Sequence, residues 1–183
     1  MKVQLSNVRI AFAHVHEPQS FNGGDARYSA QIIVDPATVN AKTLAQAVEA
    51  VALEKWGAKG KGTLSELKKK GLVCYHEEAK TNSSGEVYDG FEDMHYVSAS
   101  NKARPLLIGR QKEPLTAADG KPYSGCYVNA SLELWAQDNQ YGKRINATLK
   151  GVQFVRDGDA FSGGTPASAD EFDDLGVEEE VPA

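Results

Sequence analysis

Aromatic and cationic side chains share the polar faces of two neighbouring predicted strands near the end of the chain. From 125 to 136 the even positions are apolar or thiol, while Tyr127 and Trp135 stand at odd positions among polar residues. The next strand carries Arg144 and Lys150 on its own polar face. Aromatic rings stack on the bases of single-stranded nucleic acid at about 1–3 kcal/mol each, and cations follow the phosphates. The pattern indicates a surface for single-stranded nucleic acid; burial as satellite core under a loop or helix is the alternative for either ring.

Patterns for catalysis and metal binding are weak. The segment Gly57–Thr63 lacks the adjacent Gly-Lys-Ser/Thr of a phosphate-binding P-loop, because its last glycine is followed directly by threonine. Cys74 and Cys126 are far apart in the sequence, and the four histidines do not form a three- or four-ligand pattern. The paired acids Glu77-Glu78 and Glu92-Asp93 have no recognisable acid–base or two-metal frame. We therefore expect no enzyme activity, no cofactor and no metal site.

The charge of the chain is divided between a basic body and an acidic end. Residues 1–156 hold all 20 Lys and Arg against 16 Asp and Glu, a formal charge of +4, and the remainder carries −9. A terminal block of like charge repels itself, buries little and typically stays disordered as an interaction tail. A basic body attracts such a tail as it attracts a polyphosphate. The tail is either a solubilising arm or a competitor for a nucleic-acid groove. Its candidate residues are Asp170, Glu171, Phe172, Asp173, Asp174, Glu178, Glu179 and Glu180.

A body charge of only +4 is modest, so stacking should supply a large share of any affinity for nucleic acid. Further candidates for the binding surface lie on other predicted strands and strand edges that could reach the same groove. They are Arg27, Tyr28, Tyr96, Lys102 and Arg104.

The sequence also bears on the compartment. No apolar run approaches the roughly 18 to 20 residues that cross a bilayer, and the N-terminus lacks the apolar centre of a signal peptide. Two cysteines give no disulfide framework, so reduced thiols are expected. We expect no membrane association and no secretion.

Hydrophobic periodicity predicts a mainly β chain with one or two helices. The first predicted strand runs from Val3 to Phe12, and its inward face changes between Leu5 and Val8, which indicates a bulge. The predicted inward residues are Val3, Leu5, Val8, Ile10 and Phe12. A helix is predicted from about Asn40 to Trp56, then a flexible glycine-rich connection and a short helix with a capping box at Thr63–Glu66. The remaining predicted strands are Arg27–Val34, Met94–Ser100, Leu106–Ile108, Gly125–Ala136 and Arg144–Val155, the last with Ile145, Ala147, Leu149 and Val155 on its inner face.

Five or more strands interrupted by helices are typical of a small β-barrel or a sandwich. The OB-fold is one member of that class, and pattern alone does not select it.

Most of the chain resembles a family of phage single-stranded DNA-binding proteins first catalogued as a domain of unknown function. The more specific motifs lie in the second half, and the N-terminal half agrees more loosely. They are Arg104-Pro105, Tyr123-Ser124-Gly125-Cys126, Gly142-Lys143-Arg144-Ile145, the run from Leu149 to Gly158, Asp170-Glu171-Phe172, and, at the N-terminal end, Val8–Phe12 and Arg27–Ala30.

The resemblance implies an OB-fold-like five-stranded barrel with an inserted helix, here assigned to residues 1–157, and a flexible acidic tail over 158–183. It implies sequence-independent binding of single-stranded DNA in phage replication, recombination or repair, within the cytoplasm of the infected bacterial host. It also implies a tail that regulates DNA binding and contacts replication or recombination proteins. The chain departs from many such tails in ending Glu180-Val181-Pro182-Ala183 rather than on an aromatic residue. The competing class is a structural or adaptor β-domain with a solubilising tail and no nucleic-acid binding.

Overall fold

The computed structural model describes residues 1–20, 23–161 and 172–176. Seven strands and two α-helices follow one another within these described residues. In order they are β1 (Lys2–Gln19), β2 (Arg27–Val34), α1 (Val39–Trp56), α2 (Gly60–Lys69), β3 (Tyr75–His76), β4 (His95–Asn101), β5 (Leu106–Ile108), β6 (Tyr127–Asn139) and β7 (Gly142–Arg156).

Five of these strands close into a barrel. β1 pairs antiparallel with both β2 and β6, β2 pairs with β4, and β6 pairs with β7. The ring is completed by a parallel pairing of β4 with β7 at Ser100 and Thr148. The short strands β3 and β5 extend the sheet at the outer sides of β4 and β7. This five-stranded closed topology is that of an OB-fold, so the predicted fold class is confirmed.

Register shifts interrupt the pairing of strand β1 at three places, and two of them are bulges that redirect side chains. The first register shift lies between Leu5 and Val8, as the sequence predicts, and Asn7 there has a φ of 51°. The second lies between Ala11 and His14, where Phe12 has a φ of 47°. This second bulge buries Ala11 and turns Phe12 outward, so the sequence-based assignment of Phe12 to the inner face is wrong.

The two helices follow β2 and precede β3 in the chain, and they pack together as one unit. The apolar side of α1, including Leu44, Val48 and Val51, is buried in the main core, and Gly57 ends the helix as expected. The predicted flexible connection is wrong, because a 3-10 turn leads directly into α2 at Gly60. Its backbone lies so close to α1 that a Cβ at Gly60 would be 2.8 Å from the Ala52 carbonyl oxygen. The predicted capping box therefore falls inside α2 rather than at its start.

The β6–β7 hairpin supplies the clearest agreement with the sequence. In β6 the even positions from Val128 to Leu134 are buried, as the alternation predicts. β7 buries Ile145, Ala147 and Leu149, but a register shift then makes Lys150 an extra residue opposite β6. Beyond that bulge the inward face changes, so the buried side chains are Val152 and Phe154 rather than the predicted Val155.

The chain segment after β7 returns across the barrel and is held by Arg9. The Arg9 guanidinium donates hydrogen bonds to the carbonyl oxygens of Gly125 and Asp159, at 2.9 and 2.7 Å, and lies 4.0 Å from the centroid of the Phe161 ring. We call this contact the Arg9 clasp. Contacts with the barrel thus continue through Phe161, four residues past the predicted boundary between the folded domain (1–157) and the tail (158–183).

Candidate nucleic-acid interface

A groove of about 620 Å³ crosses the barrel where β4 and β7 meet. Side chains from β1, β2, β4, β6 and β7 line it, together with the segment that follows α2. Its floor at the strand junction carries short polar side chains, among them Ser29, Ser98, Ser100 and Thr148. Because these side chains are small, the groove has room for an extended polymer to lie along the junction.

Cations line this groove without opposing carboxylates. Arg27 on β2, Lys80 in the segment after β3, and Arg144 on β7 contribute three positive charges. None of the described residues that line the groove is Asp or Glu. The described lining of the groove therefore carries a formal charge of +3, although the whole chain carries a net charge of −5.

Two aromatic rings are presented to the groove. Trp135 on β6 is 44% exposed, and its Nε1 donates a hydrogen bond to Oγ1 of Thr148 on β7 at 3.0 Å. Phe12 on β1 is 39% exposed, because the second bulge turns it outward. The hydrogen bond fixes the orientation of the indole, so its ring is held ready for a stacking partner.

A stacked group lies at the lip of the groove beside Phe12. The His76 ring stacks on Tyr96 with centroids 4.4 Å apart, and the Lys80 ammonium lies 5.2 Å from the Tyr96 centroid and 5.7 Å from that of Phe12. Burial lowers the pKa of Lys80 and is the main cause that lowers the pKa of His76. A cation that has lost part of its hydration gains more from an incoming phosphate than a fully hydrated one.

The structure brings together three of the residues selected from the sequence, Arg27, Trp135 and Arg144. Tyr96 does not line the groove, because it is buried beneath the His76 and Lys80 side chains. Its role is therefore to support the lip of the groove.

Two other predicted residues lie away from this groove. Tyr127 is at the opposite end of β6, where the Arg156 guanidinium stands 3.6 Å from its ring centroid and Arg9 stands 5.8 Å away. Lys150 is exposed at the β7 bulge. DNA contact by either residue stays a prediction.

The remaining three predicted residues form a small group near the start of β2. They are Tyr28, Lys102 and Arg104. Tyr28 lies 5.8 Å from the Arg104 guanidinium, which also donates a hydrogen bond to the His16 carbonyl oxygen at 3.1 Å. Lys102 pairs with Asp25 at 3.4 Å on the surface. Their part in DNA binding also stays a prediction.

Sequence reasoning missed Phe12, His76 and Lys80. Phe12 was hidden by a bulge that no periodic signal marks, and the other two fall in a segment without regular alternation. Of the tail candidates, Phe172, Asp173 and Asp174 are exposed, whereas Asp170, Glu171, Glu178, Glu179 and Glu180 lie outside the described residues.

Neither a metal-ligand group nor a membrane-spanning helix is present in the described ranges. Within 1–20, 23–161 and 172–176, no three His, Cys, Asp or Glu side chains come together in a way that could hold a metal ion. No helix in those same ranges is long and apolar enough to span a membrane.

Comparison with known proteins identifies relatives of the whole chain. Protein p50 of Acyrthosiphon pisum secondary endosymbiont phage 1 is 43% identical over 184 residues, covering 98% of this chain and 97% of p50. The family described as the ssDNA-binding protein of Enterobacter phage Enc34 matches residues 1–182.

Two solved structures share the fold. The single-stranded DNA-binding protein of bacteriophage Enc34, in complex with ssDNA, superposes with a TM-score of 0.72 at 23% identity, over 88% of this chain and 89% of that one. The single-stranded DNA-binding protein gp2.5 of bacteriophage T7 gives 0.58 at 10% identity, over 98% and 99%. Because the family match extends almost from end to end, the chain belongs to the Enc34 single-stranded DNA-binding protein family.

Proposed function

We propose that this chain binds single-stranded DNA without sequence preference in the groove between β4 and β7. The observation that carries the proposal is a groove with two exposed aromatic rings and three cations, and with no carboxylate among its described lining residues. Family membership and the OB-fold, whose β-sheet face and adjoining loops bind oligonucleotides in many proteins, support it.

The groove suits a single strand for physical reasons. Bases that are free of a complementary strand can stack on Trp135 and Phe12, and the phosphates then follow Arg27, Lys80 and Arg144. Duplex DNA keeps its bases stacked inside, so it gains the phosphate contacts without the stacking. Neither the stacking nor the phosphate contacts depend on which base is present, so binding in the groove does not select a sequence.

We further propose that the acidic C-terminal tail competes with DNA for this groove and contacts replication or recombination proteins. A tethered anion acts at an effective concentration that reaches about millimolar for short linkers. Such a protein would act in phage DNA replication, recombination or repair, in the cytoplasm of the infected bacterial host.

A titration of fluorescent oligo-dT at several salt concentrations tests the binding proposal. We expect the logarithm of the association constant to fall linearly with the logarithm of salt concentration, and duplex of equal length to bind more weakly. Absence of salt-dependent binding would favour the alternative that the chain is a structural or adaptor β-domain that does not bind nucleic acid. Equal affinity for single strand and duplex would refute stacking.

Deleting Asp170–Ala183 tests the tail. The deletion removes seven carboxylates and changes the formal net charge from −5 to +2. DNA binding should tighten, most strongly at low salt, because the Debye length shrinks from about 30 Å at 0.01 M to about 3 Å at 1 M. Unchanged affinity at low salt would leave the tail as a solubility or partner-docking arm.

A further inference from the structure

A second cavity, of about 230 Å³, shares Phe12 with the DNA groove. We call it the aromatic pocket. Its lining residues are Ala11, Phe12, Tyr88, Asp89, Phe91, Ser124 and Phe161. Four of these seven residues are aromatic, and Phe12 forms part of the wall of both cavities. A strand lying in the groove therefore passes directly beside the mouth of the pocket.

The walls of the pocket are held in place before any ligand arrives. Phe91 is buried and packs edge-on against Tyr96, with centroids 5.7 Å apart, and Tyr88 packs edge-on against Phe12 at 5.1 Å. Phe161 is fixed by the Arg9 clasp and by its backbone N–H, which donates to the Ser124 carbonyl oxygen at 3.2 Å. A preformed site binds without the entropic cost of ordering its walls.

Glycine at position 90 permits this arrangement. A Cβ there would lie 2.5 Å from the Phe161 ring, and Gly90 itself has a φ of 85°. The ring of Phe161 therefore reaches its place only because residue 90 has no side chain.

The backbone of Phe12 indicates that its outward position serves a purpose. An aromatic residue with a φ of 47° occupies a region that favours glycine and asparagine. Such conformations cost about 1–3 kcal/mol and are concentrated at ligand sites. Here the bulge places one ring between the groove and the pocket.

Two polar residues line the pocket and can select among ligands. Asp89 is exposed at the lining, where its carboxylate is free to turn toward a ligand as a hydrogen-bond acceptor, and the Ser124 hydroxyl, which accepts a hydrogen bond from the Ala13 backbone N–H, still has its own proton to donate. A carboxylate repels phosphate but accepts a hydrogen bond from the exocyclic amino group of cytosine or adenine. Aromatic walls with few polar groups are typical of sites for flat heterocycles.

We propose that the aromatic pocket takes one nucleobase, turned out of the bound strand at Phe12, and that Asp89 favours a base with an exocyclic amino group. This inference rests on the proposed DNA binding and departs from its sequence independence at one nucleotide only. The groove binds any sequence by stacking, and the pocket superimposes a preference at a single nucleotide.

Cytosine and thymine provide the test, because they are similar in size and differ in the amino group. We expect oligo-dC to bind the full chain about tenfold more tightly than oligo-dT of equal length, the effect of one hydrogen bond to a charged group. Asp89→Asn should bring the ratio of the two dissociation constants close to one, since an amide presents both a donor and an acceptor.

Asp93→Asn is the matched control, because Asp93 lies four residues further along the same segment and does not line the pocket. Its φ of 57° is one that asparagine tolerates. Losing one negative charge should tighten binding of both oligonucleotides to a similar extent and leave their ratio unchanged.

Two outcomes would overturn the inference without touching the proposed function. A wild-type ratio of one would refute the pocket while leaving the proposed function intact, and so would a tenfold ratio that survives Asp89→Asn. If Phe172→Ala tightens binding of both oligonucleotides and the wild-type ratio is one, the pocket holds the tail instead. A chain that binds neither oligonucleotide would refute the proposed function itself.

Discussion

Replacing Trp135 with alanine should weaken the binding of single-stranded DNA without unfolding the barrel. The indole is nearly half exposed, so the substitution leaves no large internal cavity, and the main intramolecular loss is its hydrogen bond to Thr148. Loss of one stacked base costs about 1–3 kcal/mol, which raises the dissociation constant about 5- to 150-fold at 25 °C. Loss of the hydrogen bond should lower the free energy of unfolding by only about 0.5–1.5 kcal/mol.

Trp135→Phe separates stacking from orientation. Phenylalanine keeps an aromatic face but has no N–H to donate to Thr148. If stacking supplies the affinity, this variant should lie much closer to the wild type than Trp135→Ala does. If the hydrogen bond matters most, both variants and Thr148→Val should bind equally poorly.

Intrinsic fluorescence reports on the same contact, because the chain has only two tryptophans. Trp56 ends α1, donates a hydrogen bond to Asp138 at 2.9 Å and does not line the groove. In Trp56→Phe, stacking of a base on Trp135 should quench most of the remaining emission. In Trp135→Phe, the addition of oligo-dT should change the emission little.

Tyr127→Ala discriminates between the sequence-based and the structure-based accounts. The sequence predicts that Tyr127 and Trp135 both stack with bases, whereas the Arg156 guanidinium already lies against the Tyr127 ring. We expect Tyr127→Ala to bind several-fold more tightly than Trp135→Ala. Normal binding by Trp135→Ala, at unchanged thermal stability, would refute the assignment of the groove.

Three further predictions concern charge, helix packing and the thiols. Arg144→Ala should reduce the slope of the logarithm of the association constant against the logarithm of salt concentration by about one for each phosphate that the arginine neutralises. An equal reduction for Lys150→Ala would extend the path of the phosphates to the β7 bulge. Gly60→Ala should destabilise the fold by about 1–3 kcal/mol in denaturant unfolding, because the added Cβ would meet the α1 backbone. Gly62→Ala is the control: a Cβ at that position has no atom within 4 Å, so the substitution should stabilise the fold by about 0.5–1 kcal/mol. Burial raises the pKa of Cys74 to about 12 and that of Cys126 to about 11, above the ordinary value of 9.0. The unfolded chain then loses these protons first, so stability should fall as pH rises above about 9, and native thiols should resist a thiol reagent at about pH 8 until the chain unfolds.

Regular alternation made much of the barrel predictable. β2 has the predicted bounds Arg27–Val34, and the buried positions of β6 are those that its even residues predicted. Both depend on local pattern, since one face of each strand packs against a continuous core. The bulge near Asn7 was also predictable, because the apolar positions themselves change phase there.

The errors arose where long-range contacts override local signals. Gly60 looked like part of a flexible linker, but its missing side chain serves the close approach of two helices. The bulge at Lys150 and the one at Phe12 are fixed by pairing with neighbouring strands, which single-strand periodicity does not reveal. For this reason the sequence supplied three residues of the groove but missed the lip formed by His76 and Lys80.

The Arg9 clasp has a consequence for how the two ends of the protein communicate. Phe161 is a wall of the aromatic pocket and also the last described residue before the tail carboxylates that begin at Asp170. Any force or partner that draws Phe161 away from Arg9 therefore opens the pocket, and any ligand that needs the closed pocket resists that movement. By thermodynamic reciprocity, a partner that grips the tail in this way and a base in the pocket must weaken each other's binding by the same factor. If the tail binds a partner and the pocket binds a base as proposed, the clasp couples release of that base to capture of the tail.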